Sequence, residues 1–545
     1  MSSLIKKVGS KSVVGYLCLT STLLLALSFS TQVPFEPPGP FSFVSRFPPT
    51  YWIGLGILIA ATLLWGLKSS DRTSGYLLCF IWEAFLFIGP VLMQPNAAGR
   101  DLWGHWFQSA NFPDSFLPPN VFLNEVVISP AFNVLSLMLY TATGATYQAF
   151  PRNFLETLLP LVLVIGSLFM GSKLFADIKH QILFVLCLEA FMWVPTNTLP
   201  SPELAGFLLT LFVIGTCLAG LRGSRLIMFW IGFVGLVITH VLFSFIFLGY
   251  LLVLYLVDKL GLSGAGIRRI SFRTLLGSVL VYFAYYALIP LLLREAIPVV
   301  VSAFYNPHGG TPIYVPLTPY QAPTITMSWI FIGIVGLWFI GMITVEKLKP
   351  FKSRKFITLL ALMIPLIGIP FTGAYSDQGL LEIFFIGSPL LAAALVTVSQ
   401  HRVALMVVLV LILLPFSLGL RYSNHYLEPI PEPVFAGSSY LVSYNVKDMV
   451  AFWPMGGGGA GQYANSVPLA KQLEIANWAE GGVTSVKGVS LAVMTSVGDN
   501  LLLWYESNSA LNNVDSQLAS SGSLIYNNGG FLVYVFQQPV SLNYT

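Results

Sequence analysis

The chain is built of long apolar blocks separated by short polar connections, and alternating patterns occur only in its last quarter. A bilayer-spanning helix needs about 20 mostly apolar residues at about 1.5 Å rise each. Blocks near that length lie at 13–30, 51–67, 75–93, 154–172, 181–197, 203–221, 274–293, 326–345, 356–372, 379–398 and 403–420. The block 226–257 would measure about 48 Å as one straight helix, more than a hydrocarbon core of about 30 Å. It is read as two shorter helices meeting near Thr239-His240. The pattern therefore predicts an α-helical multi-pass membrane protein with about thirteen transmembrane helices.

Basic residues test that reading, because cytoplasmic connections are enriched in Lys and Arg. Lys6, Lys7 and Lys11 place the N-terminus in the cytoplasm. Lys68 and Arg72, Lys173 and Lys179, and Arg222 and Arg225 fall on that side. So do Lys259, Arg268, Arg269 and Arg273, and the dense group Lys347, Lys349, Lys352, Arg354 and Lys355. Without the break at His240, every later group would face outward. The first block has the basic start of a signal peptide and a candidate cleavage site at Ala26-x-Ser28, but its length favours an anchor.

Composition agrees. Of 545 residues 55% are apolar and 9% charged, with mean hydropathy +0.77, whereas a soluble chain carries about 25% charged residues. A water-soluble enzyme is excluded. The net charge of +4 is too small a surplus for a nucleic-acid partner. Cys18, Cys79, Cys187 and Cys217 all lie in apolar blocks and read as packing residues.

Most non-spanning length falls on the outside. The chain divides into a membrane domain, 1–421, with outer loops 94–153 and 294–325, and a small extracytoplasmic α+β domain, 422–545. Within the first loop, 126–150 reads as amphipathic helices on the outer leaflet rather than a span. In the tail, 440–446 reads as a strand and 468–478 as a helix. Residues 491–505 read as two strands around Gly498-Asp499-Asn500, and 523–526 with 531–536 as a hairpin. The glycine run 456–459 lacks the Lys-Ser/Thr of a phosphate cradle. The tail's low charge suits an archaeal cell envelope.

Because charge is scarce, each polar residue near the outer rim is a candidate. In Arg100-Asp101-Leu102-Trp103-Gly104-His105-Trp106-Phe107, a helical conformation puts Asp101 and His105 on one face. Trp103, Trp106 and Phe107 would anchor that turn at headgroup level. Asp101 there suits a general base or a divalent-metal ligand such as one for Mg or Mn; equally, it suits a helix cap paired with Arg100. Arg46, Arg100, Arg152, Arg294 and Arg421 sit at outer span ends, as snorkelling stops or as partners for a phosphate. The turn at Asp377 leads to Glu382 one turn into the next span, and Asn306-Pro307-His308-Gly309-Gly310 lies in the proline-rich second loop. Glu83 and Glu189 fall near mid-span, where a carboxyl is costly and often functional.

The arrangement resembles the GT-C glycosyltransferases, which take a sugar from a polyprenyl-phosphate or polyprenyl-diphosphate carrier. They include oligosaccharyltransferase catalytic subunits and protein O-mannosyltransferases. Arg100-Asp101-x-x-x-His105 is similar to the Asp-Glu-x-x-His sequence in the first outer loop of the mannosyltransferases, with Leu102 in place of the second acid. The turn 375–389, with Gly387-Ser388-Pro389, is similar to a late span of prokaryotic relatives, although Glu382 stands where a basic residue is common. The resemblance implies Asp101 and His105 as the catalytic pair, with Asp101 also the candidate metal ligand. It further implies Arg294 with Arg100 or Arg152 at the donor phosphate, and Asp377, His308 and Glu382 lining the pocket. The implied partners are a polyprenyl-phosphate sugar donor and a protein, lipid or glycan acceptor on the extracytoplasmic side of the cell membrane. A secondary transporter using Glu83 and Glu189, or a non-catalytic envelope scaffold, is the alternative from another class.

Overall fold

A computed structural model describes residues 10–31, 33, 42–68, 71–94, 106, 109, 130–146, 149–193, 201–261, 270–287, 321–346, 354–366, 379–423, 440, 450–453, 475–477, 485–495, 518, 520, 522–527 and 531–543. Among the described residues each apolar block contains a helix. In chain order these are α1 (Ser10–Ser28), α2 (Pro49–Lys68), α3 (Arg72–Leu92), α5 (Pro151–Leu174), α6 (Ile178–Phe191) and α7 (Pro202–Ala219). They continue as α8 (Ser224–Thr239), α9 (Val241–Lys259), α10 (Phe272–Ala287), α11 (Gln321–Val345), α12 (Arg354–Ala361), α13 (Gly379–Val398) and α14 (Val403–Ser423). An additional helix, α4 (Pro130–Thr143), lies between α3 and α5. Its 14 residues reach about 21 Å, short of a bilayer core.

Among the described residues, 7 helices are long and apolar enough to cross a membrane, and four more are apolar but shorter. Their outward faces are apolar too: Leu337 is 73% and Ile231 69% exposed. In water such a surface would drive aggregation; in lipid it is the solvated face. The protein is a multi-pass membrane protein.

The break at His240 folds the chain back on itself. His240 leaves the helical conformation (φ −155°, ψ 121°), and its Nδ1 accepts the Phe243 amide at 3.4 Å, capping α9. Phe233 and Phe247 then touch, with ring centroids 5.8 Å apart. In a continuous helix those residues would stand about 21 Å apart. Gly206 makes room for the reversal, since a Cβ there would lie 2.8 Å from the His240 Cβ.

Three of the connections predicted to be basic, those after α2, α5 and α11, meet at one end of the bundle. Lys179 Nζ donates to Gly66 O at 3.1 Å, Lys355 Nζ donates to Leu174 O, and Arg225 donates to Ala219 O at 2.7 Å. His180 reaches Gln400 O, and Arg402 pairs with Glu346 at 3.6 Å. Three cations thus sit on carbonyls at helix C-termini, where the dipole is negative. The opposite end gathers Ser28 with Thr50 (2.8 Å), Val33 N with Met93 O (3.0 Å) and the rings of Phe47 and Tyr422.

All four cysteines are buried and free, so an impermeant thiol reagent should leave the parent protein unlabelled. We expect it to label Ser30→Cys in intact cells and to reach Ser224→Cys only after lysis. Both positions are exposed, at opposite ends; the reverse pattern would invert the orientation.

The tail holds a five-stranded mixed sheet of β1 (Val450–Trp453), β2 (Ile475–Asn477), β3 (Ser485–Thr495), β4 (Ser523–Asn527) and β5 (Phe531–Asn543), in the order β2-β1-β3-β5-β4. β1 pairs in parallel with β2 and β3, while β5 is antiparallel to β3 and β4. The β4–β5 hairpin matches the expectation. The helix expected at 468–478 does not: residues 475–477 form an edge strand, because pairing with β1 overrides the local pattern. Of the strand expected at 440–446, Tyr440 is helical and the rest lies outside the described residues, as does the second strand of 491–505.

Candidate functional site at the arginine end of the bundle

The end of the bundle opposite the lysines is organised by a defect in α3. Pro90 has no amide and its ring crowds the carbonyl four residues back, Leu86 O. Over Ala84–Ile88 the helix widens into a π-helical turn, with Gly89 N donating to Ala84 O. Phe85 O thereby loses its usual partner, Gly89, and Leu86 O never had one. Two tyrosine hydroxyls supply the missing donors: Tyr51 Oη donates to Phe85 O at 2.7 Å from α2, and Tyr422 Oη donates to Leu86 O at 3.0 Å from α14. Such turns recur at functional sites.

Around this turn lies a buried charged group. Arg421 stacks over Phe87 at 4.3 Å and directs Nη1 to Met192 O, at the end of α6, at 3.5 Å. Arg152 Nη2 donates to Leu92 O, at the end of α3, at 2.9 Å. Each arginine thus meets the negative end of another helix's dipole. Glu156, one turn beyond Arg152, interacts with it electrostatically and is buried. Tyr422 lies within the fields of Arg421, Glu156 and Glu83. Farther round the rim, His240 Nε2 is 3.7 Å from Glu203 Oε1 at the start of α7.

Of the predicted site residues, Arg152 is placed in this group. Asp101, His105, Arg100, Arg294, His308 and Asp377 lie outside the described residues; Glu382 is in the first turn of α13, its side chain outside them. The residue following His105 is described, and it corrects one expectation. Trp106 is not a lipid-facing anchor but is fully buried in protein, with ring centroids 4.8 Å from Tyr140 and 4.7 Å from Phe150. Ser109 Oγ donates to Asn133 Oδ1 of α4 at 2.7 Å. Trp106 and Ser109 are thereby pinned onto α4 and onto Phe150, two residues before Arg152.

Tyr51, Glu156 and Tyr422 were not singled out from the sequence. The signal was available in Gly89-Pro90, which dictates an orphaned carbonyl, and in the i, i+4 spacing of Arg152 and Glu156. Among the described residues there is no group of three or more His, Cys, Asp or Glu side chains placed to hold a metal ion.

No protein-family model matches the chain, and no curated protein does. Among solved structures it is similar to the Archaeoglobus fulgidus oligosaccharyltransferase in complex with Zn and sulfate: 11% identity, TM-score 0.48, covering 85% of this chain and 73% of that one. It is also similar to ArnT from Cupriavidus metallidurans bound to undecaprenyl phosphate: 11% identity, TM-score 0.47, covering 89% and 98%. A third is AglB from Archaeoglobus fulgidus with an inhibitory peptide and a dolichol-phosphate: 12% identity, TM-score 0.49, covering 86% and 74%.

Proposed function

We propose that the chain is a GT-C type membrane glycosyltransferase, moving a sugar from a polyprenyl-phosphate-linked donor to an acceptor on the extracytoplasmic side. The observation that carries this reading is the docking of Trp106 on Phe150, which ties the end of the Asp101–His105 motif to the helix start that bears Arg152. A lipid-borne donor lies in the leaflet, and its phosphate reaches only the rim of the bundle. Trp106 and the helix start bearing Arg152 meet at that end of the bundle.

In the reaction the bond between the sugar's anomeric carbon and the carrier phosphate oxygen breaks, and the acceptor oxygen or nitrogen bonds to that carbon. Asp101 takes the acceptor's proton, with His105 on the same face as its partner. Arg294, with Arg100 or Arg152, meets the charge that grows on the departing phosphate. Arg152 already spends one nitrogen on Leu92 O, which orients the guanidinium. Asp377, His308 and Glu382 line the pocket. A divalent cation held by Asp101 would supply further charge stabilisation at the phosphate.

Sugar transfer from a lipid-linked donor, measured with the purified protein in detergent or nanodiscs, tests the proposal. Solute uptake into liposomes without any transfer would favour the transporter alternative.

A further inference from the structure

At the basic end of the bundle His180, in the first turn of α6, is held at both ring nitrogens. Nδ1 lies 2.8 Å from Asp177 Oδ2, and Nε2 lies 3.1 Å from Gln400 O, in the turn between α13 and α14. Both partners are acceptors. A neutral imidazole has one N–H and one lone pair and so satisfies only one of them, whereas the imidazolium satisfies both. Asp177 does not supply the missing proton, because its side chain is 51% exposed and water sustains its negative charge. The ring itself is fixed by stacking on Phe175, with centroids 6.2 Å apart.

The other charged groups on the elements around the start of α6 are engaged elsewhere or exposed. Lys179 donates to Gly66 O, Lys173 lies over Phe169, and Lys355 donates to Leu174 O beside the Phe175 ring. Asp71 accepts from Ser74, while Lys68 and Arg72 are exposed. Arg402 pairs with Glu346, and His401 Nε2 accepts from the Gln400 side-chain amide at 3.1 Å. When His180 loses one proton, its two bonds therefore compete. An N–H bond to a carboxylate is about twice as strong as one to a neutral acceptor, so the remaining proton stays on Nδ1. Nε2 then turns a lone pair toward Gln400 O, and the contact becomes repulsive. That contact is one of two ties between α6 and the α13–α14 segment; at the other end Arg421 Nη1 donates to Met192 O.

We propose that His180 is a proton-operated clasp between α6 and the α13–α14 turn, closed while both ring nitrogens carry protons and released as pH rises, because Asp177 keeps the last proton on Nδ1. The clasp is independent of glycosyl transfer and stands if that reading fails.

Nitrogen NMR of the full chain in nanodiscs, with ¹⁵N-labelled histidine, tests it between about pH 5 and about pH 8, the range in which imidazole changes charge. The His180 signals are those absent from His180→Gln. In wild type both nitrogens should be protonated in the acidic sample, and only Nδ1 in the basic one. Asp177→Ala removes the competing acceptor, so its neutral ring should carry the proton on Nε2 instead. Hydrogen exchange of the turn 399–402, corrected for the intrinsic effect of pH, should rise several-fold in basic wild type. It should stay level in Asp177→Ala and in His180→Gln, whose amide donates to Gln400 O at every pH. Chromatographic elution establishes that each variant is folded, and the wild-type tautomer and exchange decide alone if one is not. An Nε2–H tautomer in basic wild type, no change of protonation across the range, the same tautomer with and without Asp177, or exchange in the turn that does not follow the ring would each overturn the proposal.

Discussion

Asp101→Asn should lower sugar transfer by about 100-fold or more, the range for loss of a general base, while the protein remains folded and inserted. The substitution keeps size and hydrogen-bonding geometry but removes the negative charge that accepts a proton or holds a cation. The alternative role for Asp101, a helix cap paired with Arg100, makes the opposite forecast: asparagine caps as well as aspartate, so activity would be nearly unchanged. A direct assay with a radiolabelled lipid-linked sugar separates the two. Full activity in a folded variant would remove Asp101 from the reaction and return the acid–base role to other groups on the rim, such as Glu203 beside His240.

The second large effect concerns stability. Tyr422→Phe removes the donor that satisfies Leu86 O inside the bundle, and a buried carbonyl left without a partner costs about 1–3 kcal/mol. We expect a clear fall in the apparent Tm in detergent. The cause is chemically specific, so it can be corrected at its source. In a Pro90→Ala background an amide becomes available four residues after Leu86, and the same Tyr422→Phe change should cost much less. Equal losses in both backgrounds would mean that the hydroxyl acts through Arg421 rather than through the widened turn.

Where apolar length decides the outcome, the sequence alone was a sufficient guide. The blocks at 51–67, 203–221 and 403–420 are helices, and the excess length of 226–257 foretold the reversal at His240. Basic residues foretold which connections share an end, because lysine on a helix C-terminus is favoured in lipid and in water alike. Local pattern failed where partners come from far along the chain. The strand Ile475–Asn477 exists through its pairing with Val450–Trp453, and nothing in 468–478 announces that neighbour. The site was legible in part for the same reason. Arg152 stands out as a charge at a span end, but Tyr51 and Tyr422 look like ordinary interfacial aromatics until the carbonyls they serve are known. Trp106 likewise carries no mark that separates a membrane anchor from a core side chain.

The reversal at His240 bears on the surrounding lipid. Helix α8, bounded by Gly223 and His240, has 16 residues and so measures about 24 Å, several ångströms less than the hydrocarbon layer it adjoins. Hydrophobic mismatch of this sign is relieved by thinning the adjacent leaflets or by drawing headgroups inward. A lipid on that flank would have its headgroup carried toward the interior by the membrane's own deformation, before any side chain touches it.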